Sequence, residues 1–146
     1  MPQWWIVART HRNHDTGLSG FVASVEIMDE NTMARDFFDT YTRALLDRDA
    51  TAVAHHYAVP ALIEFPDQPV AVSEAAQTED FFASAFSQYE GTTEASATID
   101  VVAETGHSVW ADVTWSYDGA PAERNMYQLV RTGESWKIAV LTPLET

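Results

Sequence analysis

Two carboxylates, Glu64 and Asp67, bracket Phe65 and Pro66 in the stretch ALIEFPDQPVAVS, residues 61–73. Carboxylates this close are the raw material of acid–base chemistry, in which one group gives a proton and another takes it. His56 offers a second proton carrier, because an unperturbed imidazole titrates at about 6.5. Its competing reading is a hydrogen-bonded core histidine. His55, beside it, is expected to face solvent, and His107 sits in a turn. His11 and His14 are two imidazoles without a third ligand, too few for a metal centre. The chain has no HExxH, no compact His/Asp cluster, no phosphate-binding glycine loop and no GxSxG elbow. Neither a metal nor another cofactor is expected.

The bulk properties narrow the class. A chain of 146 residues, 46% of them hydrophobic, is enough for one domain with a real core. It has no cysteine, which excludes disulfides, thiolate nucleophiles and Cys-ligated zinc. The net charge of −14 repels nucleic acid and anionic lipid, so neither is an expected partner. Arg9 and Arg12 balance Asp15 and Glu26, so the whole excess lies from Met28 onward. The apolar stretch Trp4 to Ala8 is far too short to cross a bilayer. It lacks a basic region ahead of an adequate apolar core, so no signal peptide is expected and the cytoplasm is the expected compartment. Residues 1–32 read as a poorly ordered extension or a start placed too early, with Met28 and Met33 as alternatives. Residues 33–146 read as the domain.

The elements that must position these groups follow from periodicity. Asn31 or Thr32 can cap a first helix whose Phe37, Phe38, Tyr41, Leu45 and Leu46 share one face. DATAVAHHYA reads as a second short helix capped by Asp49, placing His56 and Tyr57 on one side, with Pro60 ending it. ALIEF is a strand, broken by PDQP and resumed at VAV. Ser73 can cap a third helix with Phe81, Phe82, Ala85, Phe86 and Tyr89 inward, closed by Gly91. From Thr92 the period changes to two, and four strands follow, with a strong hairpin signal at Asp118-Gly119. Helices segregated to one face of an antiparallel sheet define an α+β fold.

The stretches FFDTYTRALLDRDATAVAHHY, FP, FF, YDGAP and YQLVRTGESWKIAVLTPL, in this order, resemble the nuclear-transport-factor-2-like superfamily, also called SnoaL-like or cystatin-like α+β rolls. The resemblance covers residues 33–144. It implies three N-terminal helices packed on a strongly curved antiparallel sheet, a cone with a pocket inside. It does not imply one activity, because members include isomerases, dehydratases, epoxide hydrolases, polyketide cyclases, transport factors and noncatalytic subunits. Overlay on the ketosteroid isomerase type makes Tyr41 resemble the first-helix tyrosine that donates to an oxyanion, and Tyr57 its network partner. The position of the base falls on Phe65, which takes no proton, and that of the second donor on Gln128. That mechanism is therefore not expected here.

The same overlay, with strand alternation, sets directions. Phe65 and Ile63 point into the cone and Glu64 out. Val109, Ala111, Val113, Trp115 and Tyr117 point in; Trp110, Asp112, Thr114 and Ser116 point out. On the next strand Met126, Gln128 and Val130 point in. The expected catalytic set is Tyr41, His56, Asp67 and Gln128. The expected ligand wall is Tyr57, Phe65, Phe82, Phe86, Trp115, Tyr117 and Met126. Such a lining suits a small, largely apolar oxygenated compound. Two functions stay open: a cofactor-free lyase, isomerase, cyclase or hydrolase, and a noncatalytic ligand-binding or assembly module. An open pocket favours the first and a cone filled by its own side chains the second. The resemblance also implies a homodimer through the outer sheet face, where an exposed Trp110 would fit.

Overall fold

The computed structural model describes residues 20–144. Helix α1 spans Gly20–Leu46, so it starts well before the Asn31/Thr32 cap expected from the sequence. Cap-forming residues cost a helix interior only tenths of a kcal/mol, roughly up to 0.7 each, and a continuing helix absorbs that. Its Phe38, Tyr41, Ala44 and Leu45 are buried, while Arg35, Asp39 and Arg43 are exposed. Helix α2, Ala50–His55, is capped by Asp49, whose Oδ1 accepts the Ala52 N–H at 3.1 Å. It ends earlier than expected. The His56 N–H still bonds to Val53 O, but the His56 carbonyl already accepts from Ile138. Tyr57 thus opens strand β1, Tyr57–Phe65, and Pro60 lies inside that strand instead of ending a helix.

Strand β2, Gln68–Val72, folds back on β1 with Phe65 opposite Gln68, leaving Pro66 and Asp67 as the turn. Helix α3, Ala75–Ala85, follows, with Gln77 Oε1 accepting the N–H groups of Ser73 and Glu74 at 2.6 and 2.8 Å. The cap is Glu74, one residue past the Ser73 expected. A 3₁₀ turn, Phe86–Tyr89, leads to Gly91, whose φ of 92° suits glycine alone. Then come β3 (Ala95–Glu104), β4 (Ser108–Tyr117), β5 (Ala120–Thr132) and β6 (Ser135–Pro143). The strand order is β2-β1-β6-β5-β4-β3. All neighbours are antiparallel except β1 and β6, which run parallel.

The turn at Asp118 (φ 50°) and Gly119 (φ 88°) has the left-handed geometry of a two-residue hairpin, as its sequence requires. Asp118 Oδ1 also accepts the N–H groups of Thr93 and Glu94, tying the start of β3 to this turn, and these bonds lower its pKa. Among the described residues this is an α+β fold with three helices on one side of a curved, unclosed sheet. Its core runs from α1 and α3 through β1 to the middle of β4, β5 and β6. No described helix is long and apolar enough to cross a membrane.

Candidate functional site inside the cone

The pleat of β4 and β5 decides which side chains meet inside the cone. Val109, Ala111, Val113 and Trp115 are buried there, the inward row expected for β4. Their partners across the ladder are Leu129, Tyr127, Asn125 and Glu123, all buried. Strand β5 therefore turns its odd-numbered residues inward. Met126, Gln128 and Val130, expected inside, belong to the opposite face.

That reversal has a local cause. The hairpin turn pairs Tyr117 with Ala120 and Ser116 with Pro121, but Trp115 pairs with Glu123. Ala122 is thus one extra residue, a bulge, and one inserted residue exchanges the faces of everything after it. Gln128 donates from Nε2 to Ser108 Oγ at 2.8 Å and gives the cone no donor. Met126, opposite Asp112, is no part of the pocket wall.

The inward β5 residues build a polar cluster that the sequence reading missed. Glu123 is only 2% exposed. Tyr117 Oη donates to its Oε2, and Asn125 Nδ2 lies 3.4 Å from its Oε1. Asn125 Nδ2 also reaches Tyr127 Oη at 3.3 Å, and that oxygen accepts from Trp115 Nε1 at 3.0 Å. Tyr41 and Tyr57 share a hydrogen bond of 2.6 Å between their hydroxyls. Asn125 Oδ1, fully buried, has no partner.

These groups surround a cavity lined by Tyr41, Leu45, Phe65, Phe82, Trp115, Tyr117, Glu123, Asn125, Tyr127 and Leu141. Its volume, about 10 Å³ of space for the centre of a water-sized sphere, is that of a single water. Burial sets the electrostatics. It pushes the Glu123 carboxyl up to about 8, against the pull of its hydrogen bonds from Tyr117 and Asn125. Burial likewise holds Tyr41 and Tyr127 well above the ordinary phenol range, so both keep their protons. At neutral pH the cone therefore holds a carboxylic acid and several hydroxyl donors, with one unfilled acceptor.

Of the residues expected in the site, the structure brings Tyr41, Phe65, Phe82, Trp115 and Tyr117 to the cavity, with Tyr57 bonded behind Tyr41. Phe86 is half-buried against the core and does not line it. Asp67 lies exposed in the β1–β2 turn, and Glu64 is exposed opposite Pro69. Neither carboxylate lines the cavity described above. His11 and His14 fall outside the described residues.

His56 lies behind Tyr41, with ring centroids 5.5 Å apart, and is not in the cavity wall. Its Nδ1 is 2.9 Å from the Ala52 carbonyl, which can only accept, so Nδ1 carries the proton. In the neutral ring Nε2 is then an acceptor for Thr40 Oγ1 at 3.0 Å, competing for that one proton with the Phe37 carbonyl, also at 3.0 Å. Burial lowers the imidazole pKa below 6.5, opposed by the Ala52 bond and helped by His55 and Lys137. As pH falls, the unfolded chain takes up this proton before the folded one does. His56 therefore adds stability above its unfolded value near 6.5 and loses it below. A proton NMR titration of the imidazole Cε1 resonances is expected to put the His56 midpoint below 6.5. A midpoint at or above that value contradicts this burial argument.

An α+β cone with a polar cluster at its centre is the architecture of the nuclear-transport-factor-2-like class. Residues 29–146 match the family model described as NTF2-like protein (DUF6841), and the chain belongs to that family. No curated protein matches the sequence. Among solved structures, a domain of unknown function with a cystatin-like fold from Nostoc punctiforme is 16% identical. That match covers 82% of this chain and 78% of that one, with a TM-score of 0.61. A protein from Xanthomonas campestris, named as a candidate calcium/calmodulin-dependent protein kinase II association domain, is 15% identical. It covers 94% of this chain and 98% of its own, with a TM-score of 0.59. A protein from Novosphingobium aromaticivorans, named as a candidate aromatic ring hydroxylase, is 16% identical, covering 80% and 88%, with a TM-score of 0.58. At these identities the likeness is one of fold alone.

Proposed function

We propose that the cone interior binds a small, largely apolar oxygenated compound and moves a proton on it. Glu123 is the acid–base group, and Tyr41, with Tyr57 behind it, donates to developing negative charge. Phe65, Phe82 and Trp115 form the apolar wall. One observation carries this reading: Asn125, whose Oδ1 has no partner, lines the same cavity as Glu123, which is 2% exposed. A buried polar network is costly compared with an apolar filling, and an unfilled acceptor is where a ligand donor gains most. A carboxyl that is protonated near neutrality can give a proton to a carbonyl or leaving oxygen. Once ionised, it can take one from an adjacent carbon. This suits an isomerase or lyase that needs no cofactor. A ligand larger than water must push Phe65 or Phe82 aside.

Exposing the protein to a panel of neutral ketones, epoxides and alcohols, with products followed by chromatography, tests this reading. Turnover is expected in the parent protein, lost in Glu123→Gln and strongly reduced in Tyr41→Phe. Turnover that both variants retain contradicts it.

The cavity's one-water volume favours a second reading, a noncatalytic assembly module. Trp110 is 37% exposed on the outer sheet face, where it pairs with Gln128. We propose that this face forms a homodimer, and a neighbour of the same fold is named an association domain. Sedimentation equilibrium at micromolar concentration is expected to give a dimer that Trp110→Glu converts to monomer. A monomeric parent protein contradicts the dimer.

A further inference from the structure

The two edges of the sheet are built differently. Strand β2 has five residues, with Pro69 within it and Pro66 in the turn before it, features that discourage another strand from joining. Strand β3, at the opposite end of the order, runs ten residues without a proline or a basic side chain, and its one bulge, at Val102, leaves Ala95–Val101 regular. Among the described residues no strand pairs with its outer edge. That edge is a template for main-chain pairing.

Helix α1 runs beside it. The groove between them has two parts, of about 640 and 390 Å³, which meet at Asp39 and Ala97. Arg35 and Asp39 stand over Ala97–Ile99, and Asp47 stands near Thr93, so helix and strand run in opposite directions. On the helix side the groove is lined by Arg35, Asp39, Arg43 and Asp47, four residues apart and alternating in sign. All four are exposed, and among the described residues none has a side-chain hydrogen-bond or ion-pair partner. Their spacing along the helix is about 6 Å per step. Alternate residues of a strand are spaced by roughly 6.6 Å. Over three steps the two spacings diverge by only about 2 Å. A strand added to β3 would therefore set every second side chain against one charge of the row.

We infer that this edge binds an extended peptide segment of a partner protein whose alternate residues carry alternating charge, acids meeting Arg35 and Arg43 and bases meeting Asp39 and Asp47. A second copy's β3 does not fit, because its charges, with those just before it, are all acidic: Glu94, Asp100 and Glu104. Residues 1–19 of this chain do not fit either, since Asp15 is their single acid.

The test uses the full chain and a fluorescent peptide of about nine residues, a usual strand length. The peptide carries Glu, Lys, Glu and Lys at alternate positions, with Val or Thr between. Fluorescence anisotropy should show saturable binding, and the bound peptide should slow hydrogen exchange at β3 amides. N-methylation of alternate peptide amides should abolish binding. Grouping the two Glu apart from the two Lys should weaken it about tenfold, because register then pairs like charges. The double variant Asp39→Arg/Asp47→Arg should reverse the preference toward an all-Glu peptide. No binding at millimolar peptide overturns the inference. So does binding indifferent to charge order or N-methylation, or a β3 edge already protected by a second copy or by residues 1–19.

Discussion

Glu123→Gln should be more stable than the parent protein at pH 8, by roughly 4 kcal/mol, and the gap should close as the pH falls toward 4.5. The direction follows from where the proton is held. Below pH 4.5 the Glu123 carboxyl is protonated in both the folded and unfolded chain, and its ionisation costs nothing. Above that value the unfolded chain releases the proton, while the folded chain keeps it until about pH 8. Rising pH therefore favours unfolding throughout this window, and the loss levels off above it. Gln keeps the shape and cannot ionise. Its carbonyl can accept from Tyr117, and a rotated Asn125 amide can accept from its NH₂ group. Other titrating groups, including Asp118 and the surface carboxylates, act alike in both proteins and cancel in the difference. Urea unfolding of both across pH 4–9 measures it (an approximate range bracketing both carboxyl values). Parallel stability curves would contradict a buried, protonated Glu123.

Arg124→Met is expected to cost about 3 kcal/mol, because it strands a charge that is already out of water. On the outer face Arg124 Nε and Nη2 donate to the two oxygens of Asp112 at 2.9 and 2.6 Å. Asp112 is only 7% exposed, and Asp100 faces it directly across the β3–β4 ladder. The arginine feels both carboxylates, its hydrogen bond to Asp112 most strongly, and its pKa is raised. Without it, two like charges stand opposite each other and one is buried. Adding Asp112→Asn should recover most of the loss, so the double-mutant cycle shows strong coupling. A single-variant cost below about 0.5 kcal/mol would mean the pair behaves like an exposed ion pair.

The elements were legible because their signals are local. The Asp118-Gly119 turn, the FF pair of α3 and the alternation of β4 each follow from a few neighbouring residues. The contents of the cone depended on a single residue. From the hairpin turn alone, an unbroken ladder carries Tyr117–Ala120 onward to Val113–Arg124 and Val109–Gln128, which places Met126 and Gln128 inside. The bulge at Ala122 replaces them with Glu123, Asn125 and Tyr127. Strand β5 has apolar residues on both faces, Met126 and Val130 on one, Tyr127 and Leu129 on the other, so hydrophobic pattern did not arbitrate. Pro121 was the available cue: it has no N–H for the ladder and sits where bulges form. The ALIEFPDQPVAVS carboxylates are close in sequence but exposed. The buried acid lies far along the chain and shares a cavity with Phe65 only through the strand order and curvature of the sheet.

The most direct test of the cone as a ligand site is a high-resolution crystal structure of the protein purified from its host. An organic molecule is expected there, with a donor group on Asn125 Oδ1, an oxygen within reach of Glu123 or Tyr41, and Phe65 or Phe82 moved aside. A cone filled by its own side chains, with nothing but one water at Asn125, would contradict it.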